Sequence, residues 1–598
     1  GQLLGDIDML ATAVVALAGI ALRVLVGQDR ALGLEHRPRD DVLRGDQFDL
    51  VLLPAELALQ DAARGNGLLL VDPHGDLAAD VVAELPKRRR GDLVFFDATD
   101  PERCPGLNPL RCVVPEDRAL VVSNIIATFR RLFDPGTFIE SGLFATSAAP
   151  EDRDRSPADG KIAGFGKVEG REAAVVANDF TVMGASSATT NARKMGHIKR
   201  VATQRGMPLV FLGESSGARM PDHMGSRGMG LQLGNDGAQY QRLRETPWAS
   251  ATLGLSYGSS SWYAVMSDFS VMRKGAVLAV SSALLASMAV GEEVDAQELG
   301  GWKLHAEVTG FADLVVDTDE EAVDAIRRFL AYLPSHRNEA PPVAAVPGGS
   351  GEAMRDILGL LPSSRTQVYD VRKIVRAIVD RDSFFELKAR FGKVAVTGLA
   401  RLGGRTVGIV ANNPLSKGGA LDTDACEKIT SFLVLCDSFN IPLVMLVDTP
   451  GFVIGTEPER KRAPGRIMNF MNALSLVTVP KLSVVLRKSY GQAYLNMGGG
   501  RNSDEMAAWP TAEISFMDPQ FAVKVVHGLS PGDEGFDAAR ASMDRASEVW
   551  DIASVYAAQT VVLPEHTRDY LIRMLDVHEL RMTRGVGQHL MRAWPTSF

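Results

Sequence analysis

The stretches "PLVFLGESSG", residues 208–217, and "PLVMLVDTPG", residues 442–451, share their opening PLV, an acid at the seventh place and a closing Gly. Each reads as a buried strand running into a tight turn of small residues. Sliding the chain on itself by 234 residues places Gly164–Gly217 on Gly398–Gly451 with 14 identities in 54 positions. Chance gives about three, so the chain contains one unit written twice. Within the window Gly170 and Arg171 fall on Gly404 and Arg405, "VAN" at 176–178 on "VAN" at 410–412, Gly184 on Gly418, and Lys194 on Lys428.

Upstream, "DPGTFIE" from 134 echoes "DRDSFFE" from 380, so the first copy carries extra residues near the polar "TSAAPEDRDRSPAD". Each copy reads as strand, turn, helix, strand: "EAAVVAND" and "TVGIVANN", then helices over 191–204 and 425–438, then the PLV strands. That alternation predicts an α/β fold. The Pro-, Gly- and Ala-rich run from Leu333 to Glu352 has the composition of a connector. The expected organisation is a segment 1–133, a first copy 134–335, a linker 336–352 and a second copy 353–598.

At 598 residues and 46% apolar content, the chain is long enough for several cores. A net charge of −9 excludes a general nucleic-acid surface and leaves only the local "KRRR" patch at Lys87–Arg90. Four cysteines without a CxxC pair suit a reducing, cytoplasmic setting and offer no structural zinc. The apolar run Met9–Leu22 is shorter than the roughly 20 residues of a membrane span and reads as a buried or amphipathic helix.

Small residues between a strand and a helix leave backbone N–H groups open to an oxyanion. Each copy offers three such turns: "MGASS" from 183, "ESSGAR" from 214 and "YGSSSW" from 257, then "KGGALD" from 417, "DTPGF" from 448 and "YGQAY" from 490. GxSxG, HExxH and GxxxxGK[ST] motifs are absent, and the ten His residues show no metal-ligand spacing. Backbone amides alone suit a thioester enolate, whose charge rests on one oxygen that two N–H donors can hold.

"GESSGARM", "ANNPLSKGGALD", "CDSFNIPLVMLVDTPGFVIG", "RKSYGQAY" and "AAWPTAEISFMDP" resemble the carboxyltransferase (β) subunits of biotin-dependent acyl-CoA carboxylases, such as propionyl-CoA carboxylase, over about 134–598. The resemblance implies two tandem crotonase-like domains. It also implies transfer of a carboxyl group from carboxybiotin, carried on a partner subunit with biotin carboxylase, to a short-chain acyl-CoA such as propionyl- or acetyl-CoA. It assigns the thioester oxyanion to the amides of Ser216 and Gly217 and the biotin oxyanion to those of Gln492 and Ala493. Gly184, Ala185, Ser186, Lys194 and Arg219 would lie near CoA, and Gly418, Gly419, Ala420, Leu421, Gly451 and Phe452 near biotin. Ser216 and Gln492 stand where the family usually has Gly, and Leu495 where its propionyl- and acetyl-CoA members often have Asp. The resemblance further implies a homo-hexamer whose site lies between subunits. A decarboxylase or transcarboxylase shares the same site.

Residues 67–110 resemble instead the Walker B strand and following segment of conjugative coupling-protein ATPases, with Asp72 as the magnesium-side acid. Residues 1–67 hold no P-loop, so this segment is expected not to hydrolyse ATP and to be a fused fragment. A non-catalytic scaffold or DNA-translocation accessory led by this segment is the competing reading.

Overall fold

The computed structural model describes residues 131–231 and 240–595. The N-terminal readings, including the apolar run, Asp72 and the basic patch, lie outside the described residues.

Two mixed sheets carry the fold. The first contains β1 (Ile139–Glu140), β2 (Lys161–Val168), β3 (Arg171–Asn178), β4 (Leu209–Ser215), β5 (Trp248–Tyr257), β6 (Phe269–Arg273), β7 (Val277–Ala279) and β8 (Leu314–Val316). The second contains β9 (Phe385–Leu387), β10 (Ala395–Leu402), β11 (Arg405–Asn412), β12 (Leu443–Thr449), β13 (Lys481–Tyr490), β14 (Glu505–Ala508), β15 (Glu513–Ser515) and β16 (Thr560–Val561). The strand orders are the same, β1-β2-β3-β4-β5-β6-β8 with β7 on β5, and β9-β10-β11-β12-β13-β14-β16 with β15 on β13. In both, the first three strands are antiparallel and the rest are added in parallel. The sequence duplication is thus a duplication of topology. Its offset is 234 from β2 to β4 and drops to 233 at β5, where Trp248 answers Lys481.

The repeated "GR" dipeptides close the β2–β3 and β10–β11 hairpins. Gly170 and Gly404 sit at φ +76° and +81°, a region that favours glycine. In each hairpin a carboxylate from the earlier echo caps the turn: Asp134 accepts from the N–H groups of Glu169 (3.1 Å) and Gly170 (2.7 Å), and Asp380 from those of Gly403 (3.0 Å) and Gly404 (2.7 Å).

Parallel strands need crossover helices to cover them. Helix α1 (Thr189–Arg205) links β3 to β4, and α3 (Thr423–Ser438) links β11 to β12. Between the copies, α2 (Asp319–Tyr332) starts on a capping box formed by Thr318 and Glu321. It buries Ile326, Phe329 and Leu330 in a core that includes residues of both sheets. Phe329 stacks on Phe269 at 4.6 Å between ring centroids, and Phe269 meets Phe385 of the second copy at 5.8 Å. The Pro-rich segment after α2 carries no strand or helix before Glu352, yet it is pinned: Asn440 Nδ2 donates to the Arg337 and Glu339 carbonyls at 2.6 Å. Leu132 and Phe133 are buried in the same core as α2. Helix α4 (Ala463–Leu476) packs against α3 through buried Phe470 and Ala473. Among the described residues no helix is long and apolar enough to cross a membrane.

Candidate active site

The turns lie at the carboxyl ends of parallel strands, where open α/β sheets leave their crevices. In the first copy, backbone bonds knit the turn at 183–187 to the turn at 214–219. Ser187 N donates to Gly217 O (2.7 Å), Arg219 N to Ser187 O (2.9 Å), and Ser216 N to Gly184 O (2.9 Å). In the second copy Leu421 N donates to Gly451 O (2.9 Å) and Val453 N to Leu421 O (2.8 Å). The structure therefore brings Gly184, Ala185 and Ser186 together with Ser216, Gly217 and Arg219, and Gly418–Leu421 together with Gly451 and Phe452.

Gly184 is required twice over: its φ is +61°, and a Cβ there would stand 2.7 Å from Ser216 Oγ. Gly418 and Gly451, at φ +63° and +125°, leave the backbone open, with nothing near the first and only Tyr490 O, at 3.9 Å, near the second.

The amides differ in availability. Ser216 N–H is taken up by Gly184 O at 2.9 Å, while Gly217 N–H rests on Ser215 Oγ at 3.2 Å, a bond that a better acceptor can replace. The helix Gly491–Asn496 begins without a side-chain cap. The amides of Gly491, Gln492 and Ala493 belong to its first turn and have no intrahelical acceptor. The exposed Gln492 side chain lies along that helix, with Nε2 donating to Asn496 Oδ1 at 3.2 Å, and Ala493 is fully buried. Among the described residues no hydrogen bond joins the Ser216–Gly217 turn to the Gln492–Ala493 turn.

Lys194 and Arg219, expected near CoA, both point inward. Lys194 Nζ donates to Gly142 O at 3.0 Å and to Lys161 O, with Glu140 at 3.5 Å; burial lowers its pKa. Lys428 copies it, donating to Lys388 O (2.8 Å), Phe391 O (3.0 Å) and Ala395 O (2.7 Å). Arg219 pairs with buried Asp159 (2.7 Å) and reaches Ser186 Oγ (3.2 Å). Asp159 and Ser186 are also held by Asn191, whose N–H donates to Asp159 Oδ2 (2.9 Å) and whose Nδ2 donates to Ser186 O (2.9 Å). Arg219 and Asn191 thus hold the 183–187 turn, whereas Lys194 holds the carbonyls of Gly142 and Lys161.

Sequence reading missed the polar groups behind the turns: Asp159, Lys161, Asn178 and Ser260 in the first copy, Asp448 and Arg487 in the second. The signal was available in the repeat, because Lys161 stands opposite Ala395, and Gly254 opposite Arg487.

Residues 120–582 match the model of the carboxyl transferase domain. The carboxyltransferase subunit of propionyl-CoA carboxylase from Haloferax mediterranei is 35% identical over 470 residues, covering 76% of this chain and 88% of the relative. The biotin-dependent acetyl-/propionyl-coenzyme A carboxylase beta5 subunit of Mycobacterium leprae is 32% identical over 473 residues, covering 75% and 86%. The transcarboxylase 12S crystal structure, a hexamer with methylmalonyl-coenzyme A and methylmalonic acid bound, superposes with a TM-score of 0.72 at 31% identity, covering 79% of this chain and 92% of that one. A duplicated fold with paired amide-lined turns, a family model spanning most of the sequence and relatives above 30% identity together mean that the chain belongs to the carboxyl transferase family.

Proposed function

We infer that this chain is the carboxyltransferase component of a biotin-dependent acyl-CoA carboxylase and adds a carboxyl group to the α-carbon of a short-chain acyl-CoA. The observation that carries this reading is the pair of amide-lined turns, one per copy, at the carboxyl ends of equivalent strands. Carboxybiotin, delivered on a partner subunit, supplies the carboxyl group and then a ureido nitrogen able to accept the α-proton.

The residues present fit both groups. Gly217 N–H is the first donor for the thioester oxygen, and Ser216 N–H joins it when the Gly184 carbonyl gives way. Gln492 and Ala493 offer uncapped amides for the ureido oxygen. Gly418, Gly419, Ala420, Leu421, Gly451 and Phe452 make up the turns proposed for biotin, where Gly418 and Gly451 leave the backbone open. Amides fixed in place stabilise developing charge without reorganising, and each such donor contributes roughly 10² to 10³ in rate.

The two turns serve one reaction when two protomers share a site. Helices Ala283–Val290 and Pro519–His527 begin 236 residues apart, after equivalent strands β7 and β15. Both present apolar side chains to solvent, with Leu284 71%, Met288 73% and Phe521 69% exposed. Large exposed apolar faces mark association surfaces. Covering one face with the other, between protomers, would set the acyl-CoA turns of one protomer against the biotin turns of its partner. A hexamer, as in transcarboxylase 12S, is the assembly proposed.

A transcarboxylase is the second reading, favoured by the TM-score of 0.72 to transcarboxylase 12S. A cytoplasmic setting is proposed in either case, supported by Cys426 and Cys436, which are buried and unpaired. The test is carboxylation of acetyl-, propionyl-, butyryl- and methylcrotonyl-CoA with the biotinylated partner, with and without a keto-acid acceptor. Carboxylation driven by ATP and bicarbonate supports the carboxylase. Transfer between acyl-CoA and keto acid alone supports the transcarboxylase, and no binding of any acyl-CoA overturns both.

A further inference from the structure

Four lysines are buried among the described residues, Lys161, Lys194, Lys428 and Lys481, and only Lys194 and Lys428 are copies of one another. Lys194 and Lys428 each hold the carbonyl of the first residue of an equivalent strand, Lys161 O in β2 and Ala395 O in β10. Lys161 stands at the position that Ala395 fills in the second copy, so its side chain has no counterpart there. It is 2% exposed, and its Nζ donates to Asn178 Oδ1 (2.7 Å) and Ala185 O (3.3 Å). Asn178 Nδ2 donates onward to Ser260 Oγ at 3.3 Å, and Ser256 Oγ donates to the same oxygen at 3.0 Å. Lys161, Asn178, Ser256 and Ser260 wall a cavity of about 20 Å³, room for a single water.

In the second copy Asn412 stands for Asn178, Ser489 for Ser256 and Ala493 for Ser260. Without a hydroxyl at 493, Asn412 Nδ2 and Ser489 Oγ are buried with no hydrogen-bond partner. The same fold therefore stands without this chain of bonds, and the first copy keeps it for another reason. One end of the chain touches the proposed acyl-CoA turns. Ala185 lies between Gly184 and Ser186, and its carbonyl also accepts from Ser215 Oγ (3.0 Å), which in turn accepts Gly217 N–H (3.2 Å).

We propose that Lys161 is a positioning residue for the acyl-CoA half of the site. Through Ala185 it fixes the Gly184–Ser187 turn against Gly217, through Asn178 it fixes Ser260, and its ammonium biases both turns toward the charge of an enolate. This rests on the carboxyltransferase reading above. The charged groups facing Lys161 are Asp159, Arg219 and Lys194, with Glu140 beyond Lys194. Asp159 is already paired with Arg219 at 2.7 Å. Burial, the largest influence, brings the Lys161 pKa down to about 7. The ammonium is present on the acid side of that value and lost above it, so catalysis supported by it declines as pH rises through neutrality.

The test is steady-state carboxylation of propionyl-CoA by the full chain with its biotinylated partner between pH 6 and 9, with propionyl-CoA binding followed by calorimetry. One partner preparation serves all variants, so its own pH dependence cancels. Lys161→Met is expected to lower kcat about 10²-fold, to leave KM for propionyl-CoA within about threefold, and to remove the decline of kcat near neutrality. Ser260→Ala carries the residue that the second copy tolerates, so it should fold; it is expected to lower kcat about tenfold and retain the decline. Lys428→Met, a framework control, is expected to lower Tm and leave the shape of the pH profile unchanged. A folded Lys161→Met with wild-type kcat, or with a profile parallel to wild type, overturns the proposal. If Lys161→Met does not fold, Ser260→Ala decides: a tenfold loss supports the proposal and an unchanged kcat overturns it. If wild-type protein binds no acyl-CoA, the carboxyltransferase reading itself falls, and the proposal with it.

Discussion

Arg487 Nε lies 3.0 Å from Asp448 Oδ2 beneath the second copy's turns, and neither side chain is more than 4% exposed. Tyr369 donates its hydroxyl proton to the same carboxylate at 2.9 Å. Burial raises the pKa of Asp448, and Arg487 opposes that shift. Removing one member of a buried pair strands the other charge, which typically costs about 3–5 kcal/mol. Arg487→Met is therefore expected to destabilise the chain by that amount, measured by urea unfolding. The double variant Asp448→Asn/Arg487→Met should cost less, because no charge is left behind.

Lys428 gives a prediction about pH. Burial lowers its pKa from 10.5 to about 7. Between these values the unfolded chain binds more protons than the folded one, so this group makes stability rise as pH is raised from 7 toward 10.5. Lys428→Met leaves the carbonyls of Lys388, Phe391 and Ala395 without this donor and should cost about 2–5 kcal/mol at neutral pH. Its stability should also rise less steeply with pH than that of wild type. Thermal unfolding of both proteins at pH 7 and pH 9.5 checks this, and parallel curves would show that Lys428 keeps an ordinary pKa.

Much of this architecture was legible because duplication doubles every signal. Gly170 and Gly404 mark one hairpin turn, Gly184 and Gly418 one left-handed turn, and the PLV pairs one central strand. The side chains behind the turns were not legible from motif matching. The resemblance implies a place near CoA for Lys194, and in the structure α1 directs its Nζ to the carbonyls of Gly142 and Lys161, a direction set by helix phase and not by spacing along the chain. The partner of Arg219, Asp159, lies 60 residues upstream and carries no motif, so their pairing is visible only in the structure. The helices 283–290 and 519–527 carry no sequence motif, and only the fold shows that Leu284, Met288 and Phe521 on them stay exposed in the described chain.

Those faces predict how the assembly responds to charge. Leu284→Glu/Met288→Glu places two carboxylates on a surface already exposed in the protomer, so the fold should be little affected. Burying them between protomers would be strongly unfavourable. Sedimentation should show dissociation of the oligomer, with loss of carboxylation and near-normal circular dichroism. A fully active monomer would rule out a site shared between protomers.

The chemistry at the second copy's turn rests on main-chain groups, and that can be separated from side-chain effects. Gln492 is exposed and, among the described residues, its side-chain amide bonds only Asn496, so Gln492→Ala keeps both N–H donors and should leave kcat within about tenfold of wild type. Ala493→Pro deletes one donor outright. The deleted N–H lies in the first turn of the helix Gly491–Asn496 and has no intrahelical acceptor, so proline costs the fold no helical hydrogen bond. Loss of one oxyanion donor should lower kcat by roughly 10² to 10³. Binding of acyl-CoA, proposed to be held at Gly217 in the other copy, should stay near normal by calorimetry, which also reports that the variant is folded. If Ala493→Pro is folded and fully active while Gln492→Ala is inactive, the Gln492 side chain carries the function and the amides at this turn do not.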